Sequence, residues 1–360
     1  MRGTGAALAR CITGCLVLCL VLGLALSACS GDSDAQPDPA AVPPPSSGST
    51  APSSGPTQPP TPTEQSPTLP PRTDTPSLAN LMRVDFDGRG LRVLRTEYRT
   101  DAYTRMQVTY RSNGTLVSGV LLRPHGRGRF PAVVLNHGYI EPAAYVTGQG
   151  MAREQDWLAR AGFVVLHTDY RGHAAGDPAT DLERELRLAY AQDAINAVLA
   201  LERLPYVDAD RTAMVGRSMG GGVTMNALVA APGLVDAAVI FASVSSRHLD
   251  NLRRWTIPER PAAAQALFGR FGSPRESPGF YRGLSPRTHF DRITEPVLAL
   301  HGAVDATCPP RWSRATQRLM RAAGVDSRLV TYPGEDHTFY ARWEDSIRLT
   351  VRFLRRHLEV

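Results

Sequence analysis

The chain is 360 residues long with a formal charge of +6, and all 40 of its basic residues are arginine. The absence of lysine excludes a Walker-type phosphate loop, a pyridoxal Schiff base and a lysine nucleophile. The small positive excess is scattered, with no basic run interleaved with aromatics, so no nucleic-acid partner is expected.

Arg2 and Arg10 flank a short polar start, and an apolar stretch then runs over residues 11–28 to Leu26-Ser27-Ala28-Cys29. A charged beginning, an apolar centre and small residues before a cleavage point read as a secretory signal over residues 1–28. The Leu-Ser-Ala-Cys ending resembles a bacterial lipobox. That resemblance implies a mature N-terminus at Cys29 carrying lipid, which anchors the protein to the cell membrane with its domain outside the cytoplasm. An uncleaved anchor is the alternative, since an apolar stretch of about 18 residues can just span a bilayer. Residues 29–77 are rich in Pro, Ser, Thr and Gly and read as a disordered tether. Extended at about 3.1 Å per residue, its reach is on the order of 100 Å. Four of the five cysteines lie at or before residue 29, so Cys308 has no disulfide partner within the domain.

Residues 78–360 have a normal globular composition, and a domain of that size buries roughly 75% of its unfolded surface. Strand patterns cover 92–100, 106–110 and 116–122, with Asn113-Gly114 as the hairpin turn between the last two. Asn113-Gly114-Thr115 is also a glycosylation sequon, read here only as the turn. The run 130–136 suits a strand buried on both faces and ends in His137-Gly138-Tyr139. A helix is expected at 151–160, a buried strand at 163–167, and one long helix at 182–204. Strands at 212–215 and 237–242 follow, with the segment Gly216-Arg217-Ser218-Met219-Gly220 between them. Residues 245–292 carry no strand signal and are rich in Arg, Pro and aromatics, which reads as an inserted cap or lid. Within it, Arg253-Arg254-Trp255 has two readings: recognition of an anionic substrate, or amphipathic cover for the site. Regularity returns with a strand at 296–300, a helix at 310–323, a strand at 327–332 and a last helix at 343–357. Strands alternating with helices predict a mainly parallel sheet covered on both faces.

Gly216-x-Ser218-x-Gly220 between a strand and a helix is the form of a nucleophile elbow, which holds a serine at the open end of a sheet. A serine hydroxyl needs a base, and the base needs an orienting acid. His337 and Asp305 each lie in a loop after a late strand, and the order Ser218, Asp305, His337 is that of one known triad arrangement. Asp336 is the rival acid, although chain neighbours rarely point at each other. His301 reads as structural, His137 as a partner of loop backbone, and Cys308 as a small core or loop residue. Two N–H groups are expected to hold the oxyanion: that of Met219 and, from the loop after residue 136, that of Tyr139.

His137-Gly138-Tyr139, Asp169-Tyr170-Arg171-Gly172, the elbow, Ser285-Pro286, His301-Gly302-x-x-Asp305 and Asp336-His337 together resemble the α/β-hydrolase superfamily. Within it the chain looks like the branch of prolyl oligopeptidase-type catalytic domains and dienelactone-hydrolase-like esterases. The resemblance covers roughly residues 92–357 and implies Ser218 as nucleophile, Asp305 as acid and His337 as base. It implies a serine hydrolase acting on esters, or else on amides as a peptidase, with no metal or organic cofactor. Dipeptidyl-peptidase members carry an N-terminal propeller, whereas here a tether and a few strands precede the domain, so exopeptidase action is not expected. A non-catalytic binding module is the alternative of another class, and such modules usually lose a triad member.

Overall fold

The computed structural model describes residues 69–360; the expected signal, Cys29 and the tether as far as residue 68 lie outside the described residues. The fold takes in residues that composition assigned to the tether. Thr73 N–H donates to Asn80 Oδ1 at 3.0 Å, the Asn80 amide donates back to the Thr73 and Thr75 carbonyls, and Ser77 Oγ accepts Asn80 N–H at 3.2 Å. Ser77 thereby caps the first short helix, α1 (Leu78–Leu81).

The described residues form one sheet of nine strands. These are β1 (Arg89–Arg99), β2 (Tyr103–Ser112), β3 (Thr115–Pro124), β4 (Phe130–Asn136) and β5 (Val164–Thr168), then β6 (Val207–Arg217), β7 (Ala237–Phe241), β8 (Val297–Gly302) and β9 (Ser327–Tyr332). Their order is β1-β2-β3-β5-β4-β6-β7-β8-β9. The β1–β2, β2–β3 and β3–β5 pairs are antiparallel, and every pair from β5 across to β9 is parallel. This is the α/β-hydrolase fold that the motifs implied. Between β2 and β3, Asn113 and Gly114 both take positive φ, 48° and 89°, and Ser112 pairs with Thr115. That is the tight hairpin expected of an Asn-Gly pair.

The helices that matter for the site are α2 (Ala152–Arg160), α3 (Asp181–Leu186), α4 (Leu188–Glu202) and α5 (Met219–Ala230). The insertion between β7 and β8 contains α6 (His248–Asn251), α7 (Ile257–Glu259), α8 (Pro261–Phe271) and α9 (Pro278–Gly283), so the cap is helical rather than a structureless loop. The chain ends with α10 (Pro310–Ala322) before β9 and α11 (Trp343–His357) after it. Side chains of the central strands alternate between two cores. Val134, Met214, Ile240 and Ala299 pack on the face of α4, α5 and α10, while Leu135, Val215, Phe241 and Leu300 pack on the face of α2 and α11. Burial on both faces explains why these strands read as unbroken apolar runs.

One element departs from expectation. The single helix predicted over 182–204 is two helices, because Arg187 sits at φ 58°, ψ 13° between α3 and α4. The left-handed residue ends α3 and redirects the chain. Helical spacing of apolar residues continues through the break, so periodicity did not reveal it.

Candidate active site

Ser218 lies at the sharp turn from β6 into α5, at φ 55° and ψ −117°, where a non-glycine residue is strained. Its surroundings over-determine that conformation. Ser218 N–H donates to the Phe241 carbonyl at 2.9 Å, and its own carbonyl accepts from Gly221 N–H at 3.0 Å and Val244 N–H at 3.2 Å. The flanking glycines are there for space. A Cβ on Gly220 would stand 1.8 Å from the Asn136 carbonyl oxygen, and one on Gly216 would stand 2.3 Å from that of Gly220.

The other candidates arrive from neighbouring strand ends. Asp305 follows β8, His337 follows β9, and His337 Nδ1–H donates to Asp305 Oδ2 at 2.8 Å. Asp305 Oδ1 accepts the N–H groups of Thr307 and Cys308 at 2.9 and 2.8 Å, and His301 Nε2 lies 3.2 Å from Oδ2. Burial pushes this carboxyl up, but hydrogen bonds from His301 and His337 outweigh it and hold Asp305 well below the usual carboxylate range. His301 in turn lies against the Cys308 carbonyl at 2.7 Å through Nε2 and against Ser313 Oγ at 2.5 Å through Nδ1, and so braces the acid. Asp336 accepts only the backbone N–H of His337, at 2.6 Å, and the imidazole goes to Asp305.

Ser218 and His337 line one cavity of about 430 Å³, together with Gly138, Tyr139 and Met219. Ser218 Oγ and the His337 ring are not hydrogen bonded to each other; Oγ stands 3.9 Å from Cys308 Sγ. Such catalytic bonds commonly tighten only around substrate. Burial, with the nearby Asp305 charge, pushes the Cys308 thiol up to about 12, so it stays protonated and is not a competing nucleophile.

The amides of Met219 and Tyr139 have no hydrogen-bond acceptor among the described residues. Met219 opens α5, and the loop carrying Tyr139 passes close to the serine: a Cβ on Gly138 would be 3.3 Å from Ser218 Cβ. The Tyr139 hydroxyl is engaged elsewhere, donating to Glu141 at 2.7 Å. His137 does what was expected of it. Its Nδ1 lies 2.6 Å from the Gly138 carbonyl oxygen, and burial with the neighbouring His167 and His173 lowers its pKa to about 3.

Several supporting residues were not legible in the sequence. The Arg217 guanidinium bonds both Glu154 of α2 and the His337 carbonyl, at 3.2 Å for the latter. Arg153 donates to the carbonyls of Thr338 and Phe339 at 2.7 and 3.2 Å, so α2 holds the histidine loop from two sides. Burial works against the Glu154 carboxylate, but Arg217 keeps its pKa below the ordinary value. In the cap, Trp255 lines the cavity shared by Ser218 and His337, whereas Arg253 and Arg254 are exposed and Arg254 donates to the Ala306 carbonyl at 2.8 Å. The arginine that does line the cavity without an ion-pair partner among the described residues is Arg187, hidden in sequence within an apparent helix.

Fold and elbow together define a serine hydrolase of the α/β-hydrolase class. Residues 149–360 match the sequence profile of the prolyl oligopeptidase family, and the chain belongs to that family. It is 28% identical over 198 residues to an uncharacterized peptidase, YtmA, of Bacillus subtilis, covering 55% of this chain and 72% of that one. Against several longer curated relatives the chain spans only 22–34% of their length. Acetyl xylan esterase 1 from a Thermoanaerobacterium species shares the fold with a TM-score of 0.58 at 18% identity, over 77% of this chain and 92% of the esterase. A puromycin-hydrolyzing peptidase of Mycobacterium tuberculosis does so with a TM-score of 0.60 at 24% identity, over 73% and 41% of the two chains.

Proposed function

We propose that this serine hydrolase cleaves carboxylic esters through an acyl-enzyme on Ser218, with His337 as base and Asp305 as acid. The observation that carries the reading is the ionised Asp305, bonded by two backbone amides and His301, holding His337 Nδ1, with His337 and the strained Ser218 lining one cavity. Ser218 Oγ attacks the ester carbonyl while His337 Nε2 takes its proton. The oxyanion is held by the Met219 and Tyr139 amides, each donor being worth about 3 kcal/mol of transition-state stabilisation. His337 then protonates the departing alkoxide, and water, deprotonated by the same nitrogen, releases the acid and restores the serine. No metal or organic cofactor enters these steps.

Ester rather than aminopeptidase specificity is supported by the charges around the cavity. Of the arginines that line it, Arg217 and Arg260 are paired with Glu154 and Glu185, which leaves the unpaired Arg187 against the single carboxylate of Glu259 and no carboxylate cluster for the ammonium of a peptide N-terminus. A peptidase is the second reading, favoured by the relatives that are named peptidases. We further propose that the enzyme acts outside the cytoplasm, tethered through lipid on Cys29; the Leu26-to-Cys29 motif supports this.

The test is initial rates of the full-length protein and Ser218→Ala on short and long p-nitrophenyl esters and on aminoacyl and prolyl anilides. Ester turnover that vanishes in the variant, without anilide cleavage, is the expected result. Comparable anilide cleavage would move the protein to the peptidase reading. If neither is cleaved and a fluorophosphonate fails to label Ser218, the catalytic reading is wrong.

A further inference from the structure

The catalytic cavity does not end at Ser218. Tyr139, Arg187, Met219, Glu259 and Arg260 also line a second cavity of about 840 Å³ beneath the cap, where Leu182, Ala266 and Leu267 make much of the wall apolar. Arg187 is therefore at the junction between the place where chemistry would occur and the larger space under α8.

The state of this side chain is unusual. Its Nε is buried without a hydrogen-bond partner, and the guanidinium forms no ion pair among the described residues. The other two arginines of the catalytic cavity are paired, Arg260 with Glu185 at 2.8 Å and Arg217 with Glu154. In the second cavity Arg184 also has a buried Nε without a partner, but it pairs with Asp181 through Nη1 at 3.5 Å, and Arg270 is exposed. Glu185, two residues away, is the nearest candidate partner, but its carboxylate is taken by Arg260 and by the Thr256 hydroxyl at 2.9 Å. Glu259 is exposed and forms no ion pair with Arg187. Burial and the like charge of Arg260 disfavour the charged form of Arg187, only partly relieved by Glu185. The backbone is strained as well, since Arg187 is left-handed at φ 58°, where glycine or asparagine would be the unstrained choice. A strained, unpaired, half-buried cation at a cavity junction is what a site for an anion looks like before the anion arrives.

We propose that Arg187 receives an anionic group, a carboxylate or a phosphate, on the portion of the substrate that extends from the scissile ester into the cap cavity. The inference rests on Ser218 being the nucleophile of that ester, and it makes Arg187 the determinant of substrate charge. The planar guanidinium suits bidentate capture of either oxyanion. The cap's exposed Arg253 and Arg254, the sequence's own candidates for this task, do not line the catalytic cavity.

The test compares mono-p-nitrophenyl glutarate with its neutral methyl ester, which share one acyl chain and leaving group. Full-length protein is expected to favour the anionic ester in kcat/KM by about 10- to 100-fold, mostly through KM. In Arg187→Met that preference collapses toward unity, and Arg187→Lys restores part of it. An equal preference in the wild-type and Arg187→Met proteins overturns the proposal. A second arm does not depend on turnover. Glutarate and inorganic phosphate are titrated calorimetrically into Ser218→Ala with and without Arg187→Met, and their relative affinities tell carboxylate from phosphate. Binding of either anion that disappears with Arg187 supports the proposal, and no binding, or binding indifferent to Arg187, overturns it. If neither ester is turned over but the anion binds through Arg187, the nucleophile assignment fails while the anion site stands.

Discussion

Arg217 precedes Ser218 in sequence, but its side chain serves the loop of His337. It crosses from the end of β6 to Glu154 on α2, donates to the His337 carbonyl at 3.2 Å, and lies over the rings of Phe241 and Phe339 at 4.9 and 5.7 Å. Glu154 is 2% exposed and the Arg217 side chain 13%, so the pair is out of water. Arg217→Met keeps most of the stem but leaves a buried carboxylate without its cation. Losing one partner of a buried pair costs about 3–5 kcal/mol, and that is the expected loss at pH 7.5 in urea unfolding followed by circular dichroism. The pH dependence gives the mechanism away. In the wild-type protein the folded pKa of Glu154 is lowered, so its contribution is present above the unfolded value of about 4.3 and is lost as pH falls through the lower folded value. In the variant the unpaired carboxyl takes up a proton more readily when folded than when unfolded. The deficit should thus be greatest at pH 7–8 and shrink toward pH 5. Adding Glu154→Gln should recover part of it, because a neutral amide tolerates burial better. A loss below about 1 kcal/mol at pH 7.5, or one that does not change with pH, would refute the reasoning.

Asp305→Asn places an amide where His337 needs an acceptor and favours the wrong tautomer; kcat should fall about 10⁴-fold, whereas Asp336→Asn should change it little. A larger effect at Asp336 in steady-state ester hydrolysis would reassign the acid. Tyr139→Phe should lower kcat by less than about tenfold, because the proposed oxyanion donor is the main-chain amide and the hydroxyl belongs to Glu141; a fall of roughly 10²–10³-fold would give the role to the hydroxyl. Glu295 is 3% exposed, and burial pushes its pKa to about 7 despite hydrogen bonds from the Gly233 and Thr294 amides. A raised acid binds its proton more tightly when folded, so stability falls as pH rises from the unfolded value toward 7. Glu295→Gln should therefore gain about 1–3 kcal/mol at pH 8 and little at pH 4.5, and an equal gain at both would refute the assignment of cause.

What could be read from the sequence is what local chemistry dictates. The central strands were legible because burial on both faces demands unbroken apolar runs such as Val133-Val134-Leu135 and Val297-Leu298-Ala299-Leu300. The elbow was legible because Gly216 and Gly220 answer to backbone approaches no side chain can share. Asp305 and His337 were legible because strand ends in a parallel sheet converge, whatever the sequence distance between them. The residues that went unread are those whose role depends on a partner far away in the chain. Glu154 on α2 looks like any surface glutamate of an amphipathic helix until the sheet brings Arg217 to it. Arg187 looks like one more helical arginine, and only the break between α3 and α4 turns its side chain toward the cavity. Motifs record constraints on the backbone, which are local; charge pairing and its absence are properties of the assembled sheet and cap. That is why a chain whose Ser218 could be found from its flanking glycines hides its unpaired Arg187 in a stretch with no motif at all.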